Sequence, residues 1–160
     1  MRRTDGFSLI ELLVVVAIIL IIAGLAIPSI LRSRVAADES AAAATIRLVN
    51  SAQISYNSTY PTVGYAASLA ALGGTNCSAP TSTGACLIDT VLAAGSRSGY
   101  SFSIPAASVT GTPNATYQVI AAPLLFDYYG MRYFCSYADA VTRVSTTAIT
   151  TCDGTVSPLN

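Results

Sequence analysis

FSLIELLVVVAIILIIAGLAIPSIL, residues 7–31, is the stretch that decides the architecture of this 160-residue chain. Its last 20 residues, 12–31, carry no charged side chain. About 20 consecutive apolar residues are what a helix needs to cross the hydrocarbon core of a bilayer. The segment therefore predicts one membrane-spanning helix, and the rest of the chain is left to form a small soluble domain.

One carboxylate, Glu11, lies near the start of this apolar segment. A charge in hydrocarbon costs about 3 kcal/mol even on the most lenient insertion scale, so a carboxylate there indicates a function and needs a partner. Arg2 and Arg3 precede it, and basic residues favour the cytoplasmic side of the membrane. The sequence predicts a basic end that stays inside and a remainder that is exported.

Two conventional signals also begin with an apolar N-terminal segment. A secretory signal peptide could be cut near Gly24 and Ala26, which are small residues of the kind that signal peptidase accepts, whereas a signal anchor would stay uncut. Neither alternative explains a carboxylate so close to the start of the segment, and the apolar run is longer than a signal core needs.

The residues at 6–11, GFSLIE, follow a short basic leader and precede a long apolar helix that contains Pro28. In this they resemble the class III signal of type IV prepilins. The resemblance implies that residues 1–6 are a leader peptide, and that a prepilin peptidase cuts between Gly6 and Phe7 and methylates the new amine of Phe7. It also implies a homopolymeric filament that an assembly platform and a motor ATPase build, since this chain has no nucleotide-binding loop.

The charges that Phe7 and Glu11 would carry after cleavage agree with the resemblance. Cleavage would give Phe7 a positive amine close to the negative Glu11 in a low-dielectric setting. A buried ion pair adds little net stability, but either member left alone is costly, so such a pair sets register. In the family, the glutamate that matches Glu11 is thought to pair with the terminal amine of the neighbouring subunit, and the resemblance implies that role here.

Gly24 and Pro28 interrupt the apolar helix. Proline lacks a backbone N–H and clashes with the preceding turn, so a helix break is predicted there. It is either a tolerated membrane kink or a segment that unwinds on assembly, as related pilin helices do in filaments.

Beyond the transmembrane and filament-core segment at 7–31, the pattern becomes amphipathic. Residues 32–58 are rich in alanine and place apolar side chains at helical spacing, namely Ala42, Ile46, Val49, Ala52 and Tyr56. The helix is predicted to run from Phe7 to about Asn57, or about 75 Å at the standard rise. Tyr60-Pro61 then stops it.

Three short segments rich in β-forming residues, 100–104, 117–121 and 131–137, are separated by Gly, Pro and Asn. They predict a small antiparallel sheet within residues 100–160, laid on the exported half of the helix and reached through a loop with short helices at 59–99. This α+β architecture is the pilin fold that the resemblance implies. Residues 130–145, GMRYFCSYADAVTRVS, also resemble the last two strands of a pilin subgroup that usually has glycine where Ala140 stands.

Four cysteines follow the apolar segment, on the side predicted to be exported, where disulfides form. Four cysteines allow three pairings. Sequence-local closure favours one bond between Cys77 and Cys86, in a loop predicted to face outward, and one between Cys135 and Cys152. The second bond is expected to stabilise the C-terminal strand region by about 3 kcal/mol. Zinc is the weaker alternative, since neither spacing is C-x-x-C.

Several classes of function find little support in the composition. The chain has no histidine and no lysine, and it has no Gly-x-Ser-x-Gly elbow, so neither a catalytic site nor a cofactor is predicted. A formal net charge of zero gives no basis for nucleic-acid binding. Asp127, Asp139 and Asp153 could offer oxygens to calcium, but their spacing matches no loop motif and no metal site is predicted.

The sequence predicts a structural subunit of a type IV pilus, held in the cytoplasmic membrane as a single-pass precursor and then polymerised into a cell-surface filament. A type II secretion pseudopilin has the same N-terminal chemistry and is the first alternative. A single-span surface-anchored binding module is an alternative from a different class.

Overall fold

The computed structural model describes residues 7–159, so the predicted leader at 1–6 and Asn160 lie outside the described residues. The chain divides into two compact units, residues 1–34 and residues 35–160. A single helix, α1, runs from Leu9 to Thr59 and belongs to both of them. The architecture is the predicted α+β arrangement of one long N-terminal helix and a small antiparallel sheet.

The part of α1 beyond residue 34 buries one face of the helix. The stripe predicted from helical spacing is confirmed, because Ala42, Ile46, Val49, Ala52 and Tyr56 are all at most 4% exposed. Positions that repeat every three or four residues share one side of a helix, so a single continuous face meets the core. The chain leaves the helix where predicted, with the Tyr60 amide donating to the Tyr56 carbonyl at 2.8 Å.

Two short helices occupy the connection between α1 and the sheet: α2, Leu69–Leu72, and α3, Thr90–Ala93. Ser68 caps the first through its side chain and Asp89 caps the second, which is the ordinary chemistry of a helix start. Leu72 and Leu92 are fully buried and anchor both helices in the core. The loop between them turns outward, as predicted, with residues 75–81 exposed.

Within the described residues the sheet has five strands: β1 Ser96–Arg97, β2 Tyr100–Ser103, β3 Gln118–Pro123, β4 Tyr133–Tyr137 and β5 Arg143–Ser145. They are antiparallel neighbours in chain order. The three segments predicted as strands correspond to β2, β3 and β4. β1 was not predicted, and the sheet therefore begins at residue 96 instead of 100.

The sheet has two covered faces. Along β3, Val119 and Ala121 pack into the core that faces α1, whereas Ile120 between them points into a second cluster with Cys135 and Cys152. Alternation with period two is what a strand imposes. The main core is thus formed by the buried stripe of α1, by α2 and α3, and by one face of the sheet.

The C-terminal residues cover the other face and one edge of the sheet. Cys152 is bonded to Cys135 of β4, and its amide donates to the side chain of Gln118 at 2.9 Å. Further on, the chain runs beside β5, where Val144 donates to the Ser157 carbonyl and Leu159 donates to the Thr142 carbonyl, both at 2.9 Å. The chain end is therefore tied to the sheet on two sides.

The turn between β4 and β5 is made by a residue in an unfavourable conformation. Ala140 has φ of 59°, in the left-handed region that glycine enters freely and alanine does not. This is the position at which the resembling pilin subgroup usually has glycine. The turn is held by the Ala140 amide, which donates to the Tyr137 carbonyl at 2.8 Å.

Candidate functional site at the N-terminal helix

The first turns of α1 expose an apolar surface in the described single chain. Of the described helices, α1 is long and apolar enough to cross a membrane. Phe7, Leu9 and Leu25 are each at least 74% exposed, and the large apolar side chains between them are also exposed. An apolar surface of this extent needs lipid or protein around it. Residues 7–31 therefore form the candidate assembly segment.

Glu11 caps the start of this helix. Its Oε2 accepts a hydrogen bond from the backbone N–H of Ser8 at 3.0 Å, and the amides of Glu11 and Leu12 both donate to the Ser8 carbonyl. Ser8 stands immediately before the first helical residue and Glu11 stands at the third, which is the spacing of a capping box. The sequence carried this S-x-x-E signal, and the prediction of a charge partner for Glu11 overlooked it.

The predicted partner of Glu11 is the amine that cleavage between Gly6 and Phe7 would create, and the structure describes only Phe7 of these two residues. Phe7 is described and 74% exposed, whereas Gly6 lies outside the described residues. The cleavage between them and the methylation of Phe7 stay predictions. In the uncleaved chain the Glu11 carboxylate thus has a neutral amide as its hydrogen-bond donor, three residues away.

α1 runs through Gly24 and Pro28 as one helix, and the bend or weak point expected at these two residues stays a prediction. Pro28 has no N–H to donate, and the carbonyl four residues earlier, which is that of Gly24, loses its helical hydrogen bond. Among the described residues, a Cβ atom added at Gly24 would meet no atom within 4 Å apart from the adjacent backbone of its own helix. Local unwinding on assembly stays a prediction for this point of the helix.

Glu39 fixes the part of α1 beyond residue 34 to the sheet. It is 6% exposed. Its Oε1 accepts from the Met131 amide at 2.8 Å, and its Oε2 accepts from Arg132 Nε at 2.7 Å. The Arg132 carbonyl in turn accepts from the Tyr100 hydroxyl at 2.9 Å, and burial, followed by the nearby Glu39 charge, raises the pKa of Tyr100. One carboxylate therefore joins α1 to the segment that leads into β4.

Two buried side-chain amides further along α1, those of Asn50 and Gln53, also attach the helix to the rest of the fold. Asn50 donates to Ser136 Oγ at 2.9 Å and to the Ala140 carbonyl at 3.1 Å, and it accepts from the Tyr117 hydroxyl at 3.1 Å. Gln53 pairs with the backbone of Ala66 in both directions, at 3.0 and 2.8 Å. Burial raises the pKa of Tyr117, so its hydroxyl remains a donor. Sequence reasoning missed all of these groups, because polar residues inside an alanine-rich helix give no sign of distant partners.

The cysteines form two bonds, Cys77 with Cys86 and Cys135 with Cys152, with Cα atoms 5.6 and 5.9 Å apart. These are the pairs that sequence-local closure favours. The first closes the outward loop between α2 and α3, where the Cys86 amide also donates to the Gly73 carbonyl at 2.8 Å. The second holds the C-terminal residues on the sheet. Both therefore lie in the unit that starts at residue 35.

Two of the three aspartates weighed for calcium, Asp139 and Asp153, have separate partners. Asp139 forms an ion pair with Arg143 at 2.6 Å, and Asp153 accepts from the Thr155 amide at 2.8 Å. Burial alone would raise the pKa of Asp139, but the hydrogen bonds from Arg143 and from the Val141 amide lower it below its usual value. Among residues 7–159, no three side chains of metal-ligating type come together.

Comparison with known proteins gives one match. Residues 1–27 match the family model described as the prokaryotic N-terminal methylation motif. No curated protein and no solved structure matches the chain. The matched residues include Phe7 and Ser8, which precede α1, and the exposed first turn of α1 with Glu11.

Proposed function

Residues 1–27 carry the class III signal of type IV prepilins, and from this premise we propose that the chain is the subunit of a type IV pilus filament. The motif supports a type IV pilin-like or pseudopilin subunit with a structural role, processed by a prepilin peptidase and polymerised by a membrane assembly system. The choice of pilus over pseudopilin is the finer part of the proposal. Under this proposal, the subunit is stored in the membrane and then extracted into a surface fibre.

The exposed apolar surface of residues 7–31 is the observation that carries the proposal. In the precursor, lipid covers this surface. In the fibre, the same segments of neighbouring copies cover one another, so contacts between subunits replace contacts with lipid. A contact that joins one patch to a different patch on the next copy does not close, and such packing gives an open helical polymer.

Glu11 is proposed to change its partner during this transfer. Before cleavage it accepts from the neutral Ser8 amide. After cleavage between Gly6 and Phe7, the charged amine of a neighbouring copy offers a stronger, charge-assisted hydrogen bond in the same apolar setting. A carboxylate without that cation would stay buried and uncompensated, so the pair selects the correct register.

Two features of the unit at residues 35–160 favour the pilus over the secretion pseudopilin. One is the exposed loop that the bond between Cys77 and Cys86 closes, and the other is the bond between Cys135 and Cys152 that holds the chain end. A fibre outside the cell is exposed to shear and proteases. Cross-links that restrict the unfolded chain suit such a location.

The experiment is expression in a bacterium with a type IV pilus system, followed by shearing of the fibres and N-terminal analysis of the protein in them. The mature chain is expected to begin at Phe7 with a methylated amine. A chain that begins at Met1 or near Ile27 would exclude this processing. Fibres that contain the chain and are visible by electron microscopy would separate the pilus from the pseudopilin.

Glu11 variants test the partner exchange in the same strain. Glu11→Gln keeps an oxygen that can accept from the Ser8 amide and removes only the charge, whereas Glu11→Ala removes both. If the ion pair sets register, both variants insert into the membrane but yield few fibres. If Glu11→Gln forms fibres at the wild-type yield while Glu11→Ala does not, the residue serves only as a helix cap and the pairing is refuted.

A further inference from the structure

The C-terminal strap, which we define as residues 146–159, covers part of the second face of the sheet and then runs beside β5. Among residues 146–159, Cys152 alone is buried, and the others are exposed or partly exposed. Ordering a chain segment costs conformational entropy for every residue, and burial of apolar surface is the main term that offsets this cost. The strap therefore buries little apolar surface to hold itself in place.

The apolar cluster beneath the strap is small. Its buried members are Ile120, Cys135 and Cys152, and Tyr137, Ile149 and Val156 pack partly against them. Two of the three buried members are thus the bonded cysteines themselves. Beside β5, the strap adds the hydrogen bonds of the Ser157 carbonyl and the Leu159 amide, and each such bond contributes only modestly to stability. The bond between Cys135 and Cys152 is therefore the main attachment of the strap to the sheet.

The docked strap in turn shields this bond. Cys135 is fully buried and Cys152 is 2% exposed. A disulfide is reduced when a thiolate attacks one of its sulfur atoms, so the attacking group needs access to the bond. The other bond differs, since Cys77 is exposed and Cys86 is partly exposed. A thiol in solution can thus reach the bond of the outward loop, but it cannot reach the bond under the strap while the strap is docked.

We propose that the strap and the bond between Cys135 and Cys152 form a redox latch. In the reduced chain the strap is undocked, and the Val144 amide loses its partner, the Ser157 carbonyl. Oxidation of the two thiols docks the strap, and the docked strap then protects the bond from reduction. This device goes beyond the proposed function, and it requires only that residues 35–160 reach an oxidising compartment.

The closing step is a thiol–disulfide exchange with an oxidant of the disulfide class. The thiolate of one cysteine attacks the oxidant and releases its first thiol, and the thiolate of the second cysteine then attacks the mixed disulfide and releases the other. One sulfur–sulfur bond forms in the chain and one breaks in the oxidant. The two electrons pass to the oxidant, and the two protons of the cysteine thiols end on the released thiols.

Shielding is tested on the native full-length chain in mild detergent. The chain is treated with dithiothreitol at neutral pH, and the freed thiols are labelled with iodoacetamide and located by mass spectrometry. Cys77 and Cys86 are expected to be labelled at least about tenfold faster than Cys135 and Cys152, because the second pair reacts only when the strap opens. In concentrated urea, which removes the shielding, the two pairs should be labelled at similar rates.

Docking is tested by removing each bond separately. The double substitution Cys135→Ser with Cys152→Ser removes the bond under the strap, and Cys77→Ser with Cys86→Ser is the matched control. Amide hydrogen exchange is then measured by mass spectrometry on the full-length chains in detergent.

The amides of Val144 and Leu159 report on the strap, since each of their hydrogen bonds joins the strap to the border of the sheet. They are expected to exchange at least about tenfold faster when the bond under the strap is absent, and at the native rate in the control. The amide of Val49, in the buried face of α1, should keep its protection in both variants.

Three results would overturn the latch. Equal labelling of all four cysteines in the native chain shows that the strap does not shield its bond. Native protection of Val144 and Leu159 in the Cys135→Ser and Cys152→Ser variant shows that the strap docks without the bond. Loss of protection at Val49 in that variant shows that the bond holds the whole fold and not a separate strap. None of these results bears on cleavage after Gly6 or on fibre formation, so the proposed function is tested independently.

Discussion

Replacing Glu39 by glutamine is predicted to weaken the attachment of α1, beyond residue 34, to the sheet. The substitution is nearly isosteric and keeps one oxygen that can accept from the Met131 amide. It replaces the Oε2 that accepts from Arg132 with an amide group, so two donors then face each other across a distance that is 2.7 Å in the native chain. Only the charge-assisted hydrogen bond between Arg132 and Glu39 is therefore lost.

The expected loss in the free energy of unfolding depends on how exposed Glu39 and Arg132 are. A hydrogen bond to a charged group contributes about 1.5–3 kcal/mol when it is buried. Glu39 is buried, but the Arg132 side chain is 43% exposed and water screens part of the interaction. We therefore expect Glu39→Gln to lower the free energy of unfolding by about 1–2 kcal/mol. Glu39→Ala also leaves the Met131 amide unsatisfied, and the expected loss rises to about 2–4 kcal/mol.

The measurement is urea unfolding of the full chain in mild detergent with its disulfides intact, followed by near-ultraviolet circular dichroism. Asp38→Asn is the matched control, since it removes the same charge from the adjacent residue of α1, which is only partly buried. The control is expected to stay within about 0.5 kcal/mol of the native chain. If Asp38→Asn loses as much as Glu39→Gln, or if Glu39→Ala loses nothing, the contact does not hold the helix to the sheet.

Two further substitutions test the end of the sheet. Ala140→Gly is expected to raise the free energy of unfolding by about 0.5–1 kcal/mol, since glycine relieves the left-handed conformation at a partly offsetting entropic cost. A destabilised variant in the same urea assay would contradict this. Asp139→Asn tests the pair with Arg143. Because the folded-state pKa of Asp139 is lowered, its stabilisation is present above the unfolded value of about 3.9 and is lost as the pH falls below it. The stability difference between native and variant chains should be constant near neutrality and should shrink below about pH 4, and a difference that grows on acidification would refute the pairing.

The parts of the fold that follow periodic patterns could be predicted from the sequence. The spacing from Ala42 to Tyr56 predicted the buried face of α1, since a helix repeats its faces every three to four residues. β1, Ser96–Arg97, could not be predicted in this way, because two exposed polar residues have no alternation. In the single chain α1 runs through Pro28 as one helix, and the bend or weak point expected there from the missing hydrogen bond stays a prediction.

The candidate site was predictable only where its chemistry is local. Glu11 stands out because a charge in an apolar run is costly, and its spacing from Ser8 contains a cap that could have been recognised. Glu39 and Asn50 gave no such signal. Their partners lie 67 to 93 residues further along the chain, and only the folded arrangement brings them together.

The C-terminal residues that run beside β5 have a consequence for how copies of the chain can associate. Open strand edges are templates onto which other chains can add, and that route leads to aggregates of the cross-β kind. Here Ser157 and Leu159 occupy backbone groups next to β5, and the opposite border is a strand of only two residues. The addition of further strands is thereby discouraged at both borders of the sheet, which leaves the exposed apolar residues of α1 as the surface for the polymerisation proposed above.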